Sequence, residues 1–301
     1  MTDVGLVASK VPSAEVRHRT NGSHSLPSFF IVGPPRTGTS WLYQVLNGHV
    51  LVPAPTKETR FFDDHFHRGL DWYRYHFPRA TTAQVMGEIA PTYFSSVAAR
   101  ERIRQTIPRA QIVCVFRNPL QRVLSLYRLK RAYGLIHWNF EQALEHDPEL
   151  LASGRYATHL KAWQTDFGRD HVLATIYEDL RDCSQNFVDS LLTFIGAPRL
   201  VLTQSQISRI HSSETMTQPR SYYWTRTVLA TAGWLKARRF DRVVAAVRKS
   251  PVRKLLLGGG ASFTGLSTDM AAQVCNLFRR EVEELEAILD RDLSAWKSVE
   301  I

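Results

Sequence analysis

Cysteine is scarce in this sequence. Cys114, Cys183 and Cys275 lie far apart, without the close pairing of a zinc site or the even count of a disulfide framework, which points to a reducing compartment. No uninterrupted apolar run reaches the roughly 18 residues of a membrane span. The first 27 residues lack the apolar core of a secretory signal, so the expected setting is cytoplasmic. Internal repeats are also missing, which excludes a solenoid or propeller.

What the chain does have is enough apolar material for a sizeable core, 44% of 301 residues, in one large α/β domain or two small ones. Its net charge of +10 suits phosphate, sulfate or nucleic-acid partners, because the arginine fork pairs with oxyanions, but charge alone does not choose among them.

Residues 1–27 mix Ser, Pro, His and Arg without periodicity and read as a flexible leader. Short β-rich runs follow at Phe29 to Val32, Val85 to Ile89, Ile112 to Phe116 and Val172 to Tyr177. Segments with helical spacing lie between them, among them Trp41 to Leu46 and Leu120 to Ala132. This alternation predicts an α/β fold, a P-loop-like parallel sheet flanked by helices. Beyond Pro198 the pattern changes. Residues 222–257 are rich in Trp, Arg and Leu, Gly258-Gly259-Gly260 breaks the chain, and Ser267 caps an expected helix running towards Asp290. We read this as a helical C-terminal extension of a single domain spanning 28–301.

The first strand runs into Gly33-Pro34-Pro35-Arg36-Thr37-Gly38-Thr39-Ser40-Trp41-Leu42, the strand, glycine loop and helix order that presents backbone N–H groups to a phosphate. A nucleoside-triphosphate loop needs lysine where Thr39 stands. The cation has moved to Arg36, where it would face the developing charge on a leaving group, and Thr37, Thr39 and Ser40 add hydroxyls. A plain strand-to-helix turn with a Thr or Ser cap explains the segment if it is taken alone. A second motif follows the strand Ile112 to Phe116. Arg117-Asn118-Pro119 opens a helix carrying Arg122, Ser125, Tyr127 and Arg128, and Arg117 and Ser125 would converge on one phosphate.

Together, P-P-R-T-G-T-S-W-L and V-F-R-N-P-L-Q-R-V-L-S-L-Y resemble the two donor-binding segments of the sulfotransferases that use 3′-phosphoadenosine 5′-phosphosulfate (PAPS). The resemblance continues through Lys57-Glu58-Thr59-Arg60-Phe61-Phe62, Gly69 to Tyr73, Glu88 to Phe94 and Tyr177 to Leu180. It is similar to the Golgi-type, heparan sulfate branch and its bacterial relatives. The end of the chain, Leu266-Ser267 through Asp292 to Trp296, also resembles the closing helix of bacterial members. The resemblance is weakest over 210–262. It implies that Arg36, Thr37, Gly38, Thr39 and Ser40 hold the 5′ end of the donor, that Arg117 and Ser125 take the 3′-phosphate, and that no metal is needed. Trp41 would lie beside the adenine, or serve only the core.

Sulfuryl transfer needs a base for the acceptor proton and cations for the spreading charge. The family uses histidine or glutamate. Ile89 stands where the cytosolic branch has its histidine, while Glu58 matches the glutamate of the heparan-type enzymes. The resemblance therefore makes Glu58 the general base, with Phe61 and Phe62 excluding water around it. Glu58 would otherwise pair with Lys57 or Arg60 on a solvated loop. Lys57, Phe61, Phe62, Trp72 and Glu88 are candidate acceptor contacts. Because Ile89 replaces a cation that follows the matching acid in the heparan-type enzymes, Glu88 would alternatively be an ion-pair partner. His65 and His67 are further candidate bases.

The aromatic and charged stretch from Phe61 to Phe77 reads as a sugar or amphiphile site, or as an aromatic lid on the core. The segment 227–257, with Trp234, Phe240, Arg238 and Arg239, reads as an acceptor-side or peripheral membrane-facing basic helix, or as a packed helix with a solvated face. The acceptor is expected to be a glycan, a lipid or another small molecule, with no nucleic acid as partner. Two other classes compete: a small-molecule P-loop kinase using Glu88 or Asp179 for Mg²⁺, and a non-catalytic module for acidic polymers.

Overall fold

The computed structural model describes residues 26–78, 84–210 and 265–299, with a few isolated positions between 222 and 263. The leader up to residue 25 and nearly all of the basic segment 227–257 lie outside the described residues.

Four strands, β1 (Phe29–Ile31), β2 (Gly87–Ile89), β3 (Gln111–Phe116) and β4 (Val172–Ile176), form a parallel sheet in the order β2-β1-β3-β4. Between β1 and β2 come α1 (Thr39–Leu46) and α2 (Gly69–Arg74), and α3 (Val97–Thr106) leads into β3. Next are α4 (Pro119–Ala132), α5 (Phe140–His146), α6 (Pro148–Ala152) and α7 (Tyr156–Phe167). After β4 come α8 (Tyr177–Asp182), α9 (Ser184–Phe194), α10 (Gln204–Ser208) and a long closing helix, Thr268–Leu289, capped by Ser267 as expected. All four expected strands are present, with ends differing by a residue or two.

Apart from Glu88, Gln111 and Thr175, the strands carry apolar residues or glycine, because both faces of the sheet are covered. Phe30, Ile112, Cys114 and Phe116 point to one face, where α3, α4, α7 and the closing helix supply Ile103, Val123, Trp163 and Phe278. Phe29, Ile31, Val113 and Val115 point to the other, against Trp41, Leu42 and Val45 of α1 and Phe187 and Leu191 of α9. Among the described residues, no helix is long and apolar enough to cross a membrane.

Gly33, where β1 turns into its loop, lies hard against β3. A Cβ there would fall 2.3 Å from the Val115 backbone nitrogen, and a paired strand cannot yield as a side chain can. Gly33→Ala is expected to destabilise the protein by about 2–3 kcal/mol, read as a lower urea midpoint at unchanged slope.

Candidate active site

The loop between β1 and α1 has the geometry its glycines predict. Gly38 is left-handed at φ 86° and caps α1 without any side-chain hydrogen bond; the N–H groups of Trp41 and Leu42 donate to its carbonyl, and those of Thr39 and Ser40 are left open among the described residues. Arg36 is also left-handed, at φ 78°. The Thr37 hydroxyl, expected among the donor contacts, is buried and donates to the Pro34 carbonyl at 2.8 Å. It holds the loop in shape, and Thr37 is not among the residues that line the cleft.

The two basic motifs meet. Arg36 Nε donates to Ser125 Oγ at 2.9 Å, and Arg117 Nη1 donates to the Arg36 carbonyl at 3.3 Å. Arg117 also lies over the Tyr177 ring, 4.7 Å from its centroid, and its Nε is buried without a hydrogen-bond partner among the described residues. Burial, and then the neighbouring Arg117, lower the Arg36 pKa. Open helix N–H groups, an orphaned guanidinium donor and two adjacent arginines fit a multiply charged oxyanion such as the phosphates of PAPS. Arg122, by contrast, turns into the core and donates to Ser153 Oγ and the Leu150 carbonyl.

Arg36, Gly38, Thr39, Ser40, Trp41 and Arg117 line a cleft of about 870 Å³, together with Lys57, Glu58, Arg60, Thr92, Leu126, Leu129 and Tyr177. Trp41 is mostly core, with its indole N–H donating to the Gln206 carbonyl at 2.7 Å, and one edge reaches the cleft. Lys57 Nζ lies 3.0 Å from Glu58 Oε1 and 3.4 Å from Thr39 Oγ1, which ties the candidate base to the phosphate loop. Burial lowers the Lys57 pKa, and the Glu58 carboxylate opposes that shift.

The aromatic residues expected around Glu58 are elsewhere. Phe61 and Phe62 are fully buried, Phe61 stacking on Tyr73 at 4.5 Å and Phe62 meeting Tyr93 edge to face at 5.9 Å. Trp72 packs beside Phe61 and against His65. Phe61, Phe62 and Trp72 are thus a lid on the core, and none of them lines the cleft; His65 and His67 are likewise outside it. The chain turns inward at Arg60, whose left-handed backbone and ion pairs with Asp63 and Asp64 aim the two phenylalanines at the core.

The carboxylate those aromatic rings enclose is Glu88. It is fully buried, makes no ion pair among the described residues and does not line the cleft, which corrects its expected roles as acceptor contact and as ion-pair partner. Its Oε1 accepts from Thr59 N at 2.8 Å and Thr59 Oγ1 at 2.6 Å, and its Oε2 from Tyr73 OH at 2.8 Å and Tyr93 OH at 3.3 Å. Desolvation pushes its pKa up to about 7, with the four hydrogen bonds opposing the shift. Asp179, the other candidate metal ligand, is held by both guanidinium nitrogens of Arg291. Thr59, Tyr73 and Tyr93 carried no signal as site residues, since each is an ordinary core or loop residue until folding surrounds Glu88 with them.

A loop of open N–H groups, paired arginines and a lysine–carboxylate pair on one cleft defines an α/β transferase of anionic groups. The model of the sulfotransferase domain family matches residues 26–240, and the chain belongs to that family, whose reaction is sulfuryl transfer. Human bifunctional heparan sulfate N-deacetylase/N-sulfotransferase 2 is 31% identical over 194 residues, covering 57% of this chain and 22% of that protein. The Xenopus laevis N-deacetylase/N-sulfotransferase 1 is 29% identical over 213 residues, covering 62% and 24%. This chain therefore spans about a quarter or less of the length of those relatives. A sulfotransferase of solved structure from Alicyclobacillus acidocaldarius shares the fold with a TM-score of 0.63 at 21% identity, covering 91% of this chain and 99% of that one. Family membership sets aside the kinase and polymer-binding readings.

Proposed function

We propose that the protein moves the sulfuryl group of PAPS to a hydroxyl or amine of a glycan, lipid or other small acceptor, with Glu58 as general base. The observation that carries this reading is the convergence of the phosphate loop, Arg117 and the Lys57–Glu58 pair on one cleft. PAPS supplies an activated sulfur whose bond to the bridging phosphate oxygen breaks as the acceptor bond forms. Glu58 takes the acceptor proton. Arg36 and Lys57 offset the negative charge that leaves with the 5′-phosphate, and Arg117 with Ser125 holds the 3′-phosphate. Thr39, Ser40 and the backbone at Thr37 and Gly38 bind the 5′ end, and Trp41 offers its edge to the adenine.

Lys57 is engaged by Glu58, Arg60 by Asp63 and Asp64, and Lys130 by Asp147 and Glu149. That internal pairing favours an acceptor of low negative charge over a polyanion. The dispersed cysteines support a cytoplasmic setting, and the basic segment 227–257 suits an anionic membrane surface.

Calorimetric titration with 3′-phosphoadenosine 5′-phosphate (PAP) tests the donor. Arg117→Ala is expected to weaken binding roughly 10- to 100-fold, and Ser125→Ala about 5-fold, since the arginine brings a full charge to the phosphate and the serine a single hydroxyl donor. Preference for ATP with Mg²⁺, or no PAP binding by the wild type, would overturn the reading.

A further inference from the structure

A fully buried carboxylate without a cation is costly, and an apolar residue at position 88 would spare the sheet that cost. The position has a use that an apolar residue cannot serve. Both polar donors of Thr59, its N–H and its hydroxyl, end on Glu88 Oε1. The Thr59 N–H belongs to the same planar peptide as the Glu58 carbonyl and Glu58 Cα, so a fixed N–H leaves the backbone of Glu58 little rotation. Tyr73 and Tyr93 brace the opposite oxygen, and Phe61 N donates to Thr59 Oγ1 at 3.1 Å, which continues the clamp along the chain. Lys57 holds the tip of Glu58 at 3.0 Å, so the residue is secured at its root by the sheet and at its tip by the cleft.

We infer that Glu88 is a positioning residue, which aims the Glu58 carboxylate into the cleft by holding Thr59 and never touches substrate itself. The inference rests on Glu58 being the base. What Glu88 contributes is a rigid acceptor oxygen on β2, so a glutamine there serves in part while an alanine does not.

Two readouts test this on the full chain. In hydrogen exchange, Glu88→Ala should speed exchange of the amides at 57–60 while β1 and β3 keep wild-type protection, and Glu88→Gln should leave 57–60 protected. In kinetics, the probe is PAP release from PAPS with water as acceptor. Glu88→Ala should lower kcat roughly 10- to 100-fold, the scale of a misplaced reacting group, with PAP affinity unchanged. Glu88→Gln should recover kcat to within about threefold, and Thr59→Val added to Glu88→Ala should cost little more, since both act through one contact.

Unchanged exchange at 57–60 in Glu88→Ala would overturn the inference, as would Glu88→Gln as slow as Glu88→Ala. PAP affinity falling in step with kcat would reduce Glu88 to general support. If Glu88→Ala does not fold, Glu88→Leu, which fills the space and accepts no hydrogen bond, decides: kcat lowered at constant PAP affinity supports the clamp, and unchanged kcat sinks it. If release by the wild type is too slow to follow, the exchange arm decides alone. Full activity of Glu58→Gln would instead remove the base assignment and leave the exchange result standing.

Discussion

Glu58→Gln is expected to lower turnover of PAPS by roughly 10²- to 10⁴-fold, the range a general base supplies, and to leave PAP affinity nearly unchanged. The substitution keeps the size of the side chain and an acceptor oxygen for Lys57, and removes the negative charge and with it the capacity to take a proton. Glu58 sits at the cleft with 27% of its side chain accessible, next to a lysine that also reaches the phosphate loop. That geometry puts the proposed proton acceptor and the charge proposed to offset the leaving group within one contact of each other. His65 and His67, the alternative bases, lie on the short helical turns that span Phe61–Arg68 and do not line the cleft. Rapid-mixing measurement of PAP formation separates the chemical step from product release. A loss under fivefold would show that another group takes the proton.

Glu88→Gln is expected to stabilise the protein at alkaline pH. The folded carboxyl has a pKa of about 7 against an ordinary value of 4.5, because burial disfavours its charged form. Between those values the folded state holds a proton that the unfolded state has released, so stability falls as pH rises through this window and levels off above it. The full displacement corresponds to about 3 kcal/mol. Glutamine carries no charge and removes this dependence, less about 1 kcal/mol for one imperfectly paired amide N–H. Urea unfolding should therefore show the variant within 1 kcal/mol of wild type at pH 5 and about 2 kcal/mol more stable at pH 8. A difference that does not change with pH would assign the buried charge elsewhere. The tyrosines bracing Glu88 do not titrate in this window, since burial and the Glu88 charge raise both well above their ordinary value.

The strands, the phosphate loop and the Ser267 cap were legible because each is a local pattern. Apolar runs bounded by loops, a left-handed position at Gly38 and a hydroxyl before a helix are requirements that adjacent residues meet by themselves. The meeting of Arg36 with Ser125 was half legible. Both were expected to bind donor phosphates, but at opposite ends, and only the folded chain brings the two segments into direct contact at 2.9 Å. Nearness in sequence to Glu58 does not bring Phe61 and Phe62 to the cleft with it. The left-handed turn at Arg60 swings them into the core and leaves Glu58 at the surface of the cleft.

Sequence alone therefore determined the layered α/β class, the loop proposed to receive an anion and the residue types that would move a sulfuryl group. Tertiary structure decided which carboxylate faces the cleft and which is buried. β2 pairs with β1 in parallel, with Glu88 opposite Phe30, so the alternation of the strand sends Glu88 to the face where Phe62, Tyr73 and Tyr93 pack. Glu58 sits on the loop above that face, held by Thr59. Register is a property of two strands far apart in the chain and set by the packing of a whole sheet, so no local pattern around either glutamate could reveal it.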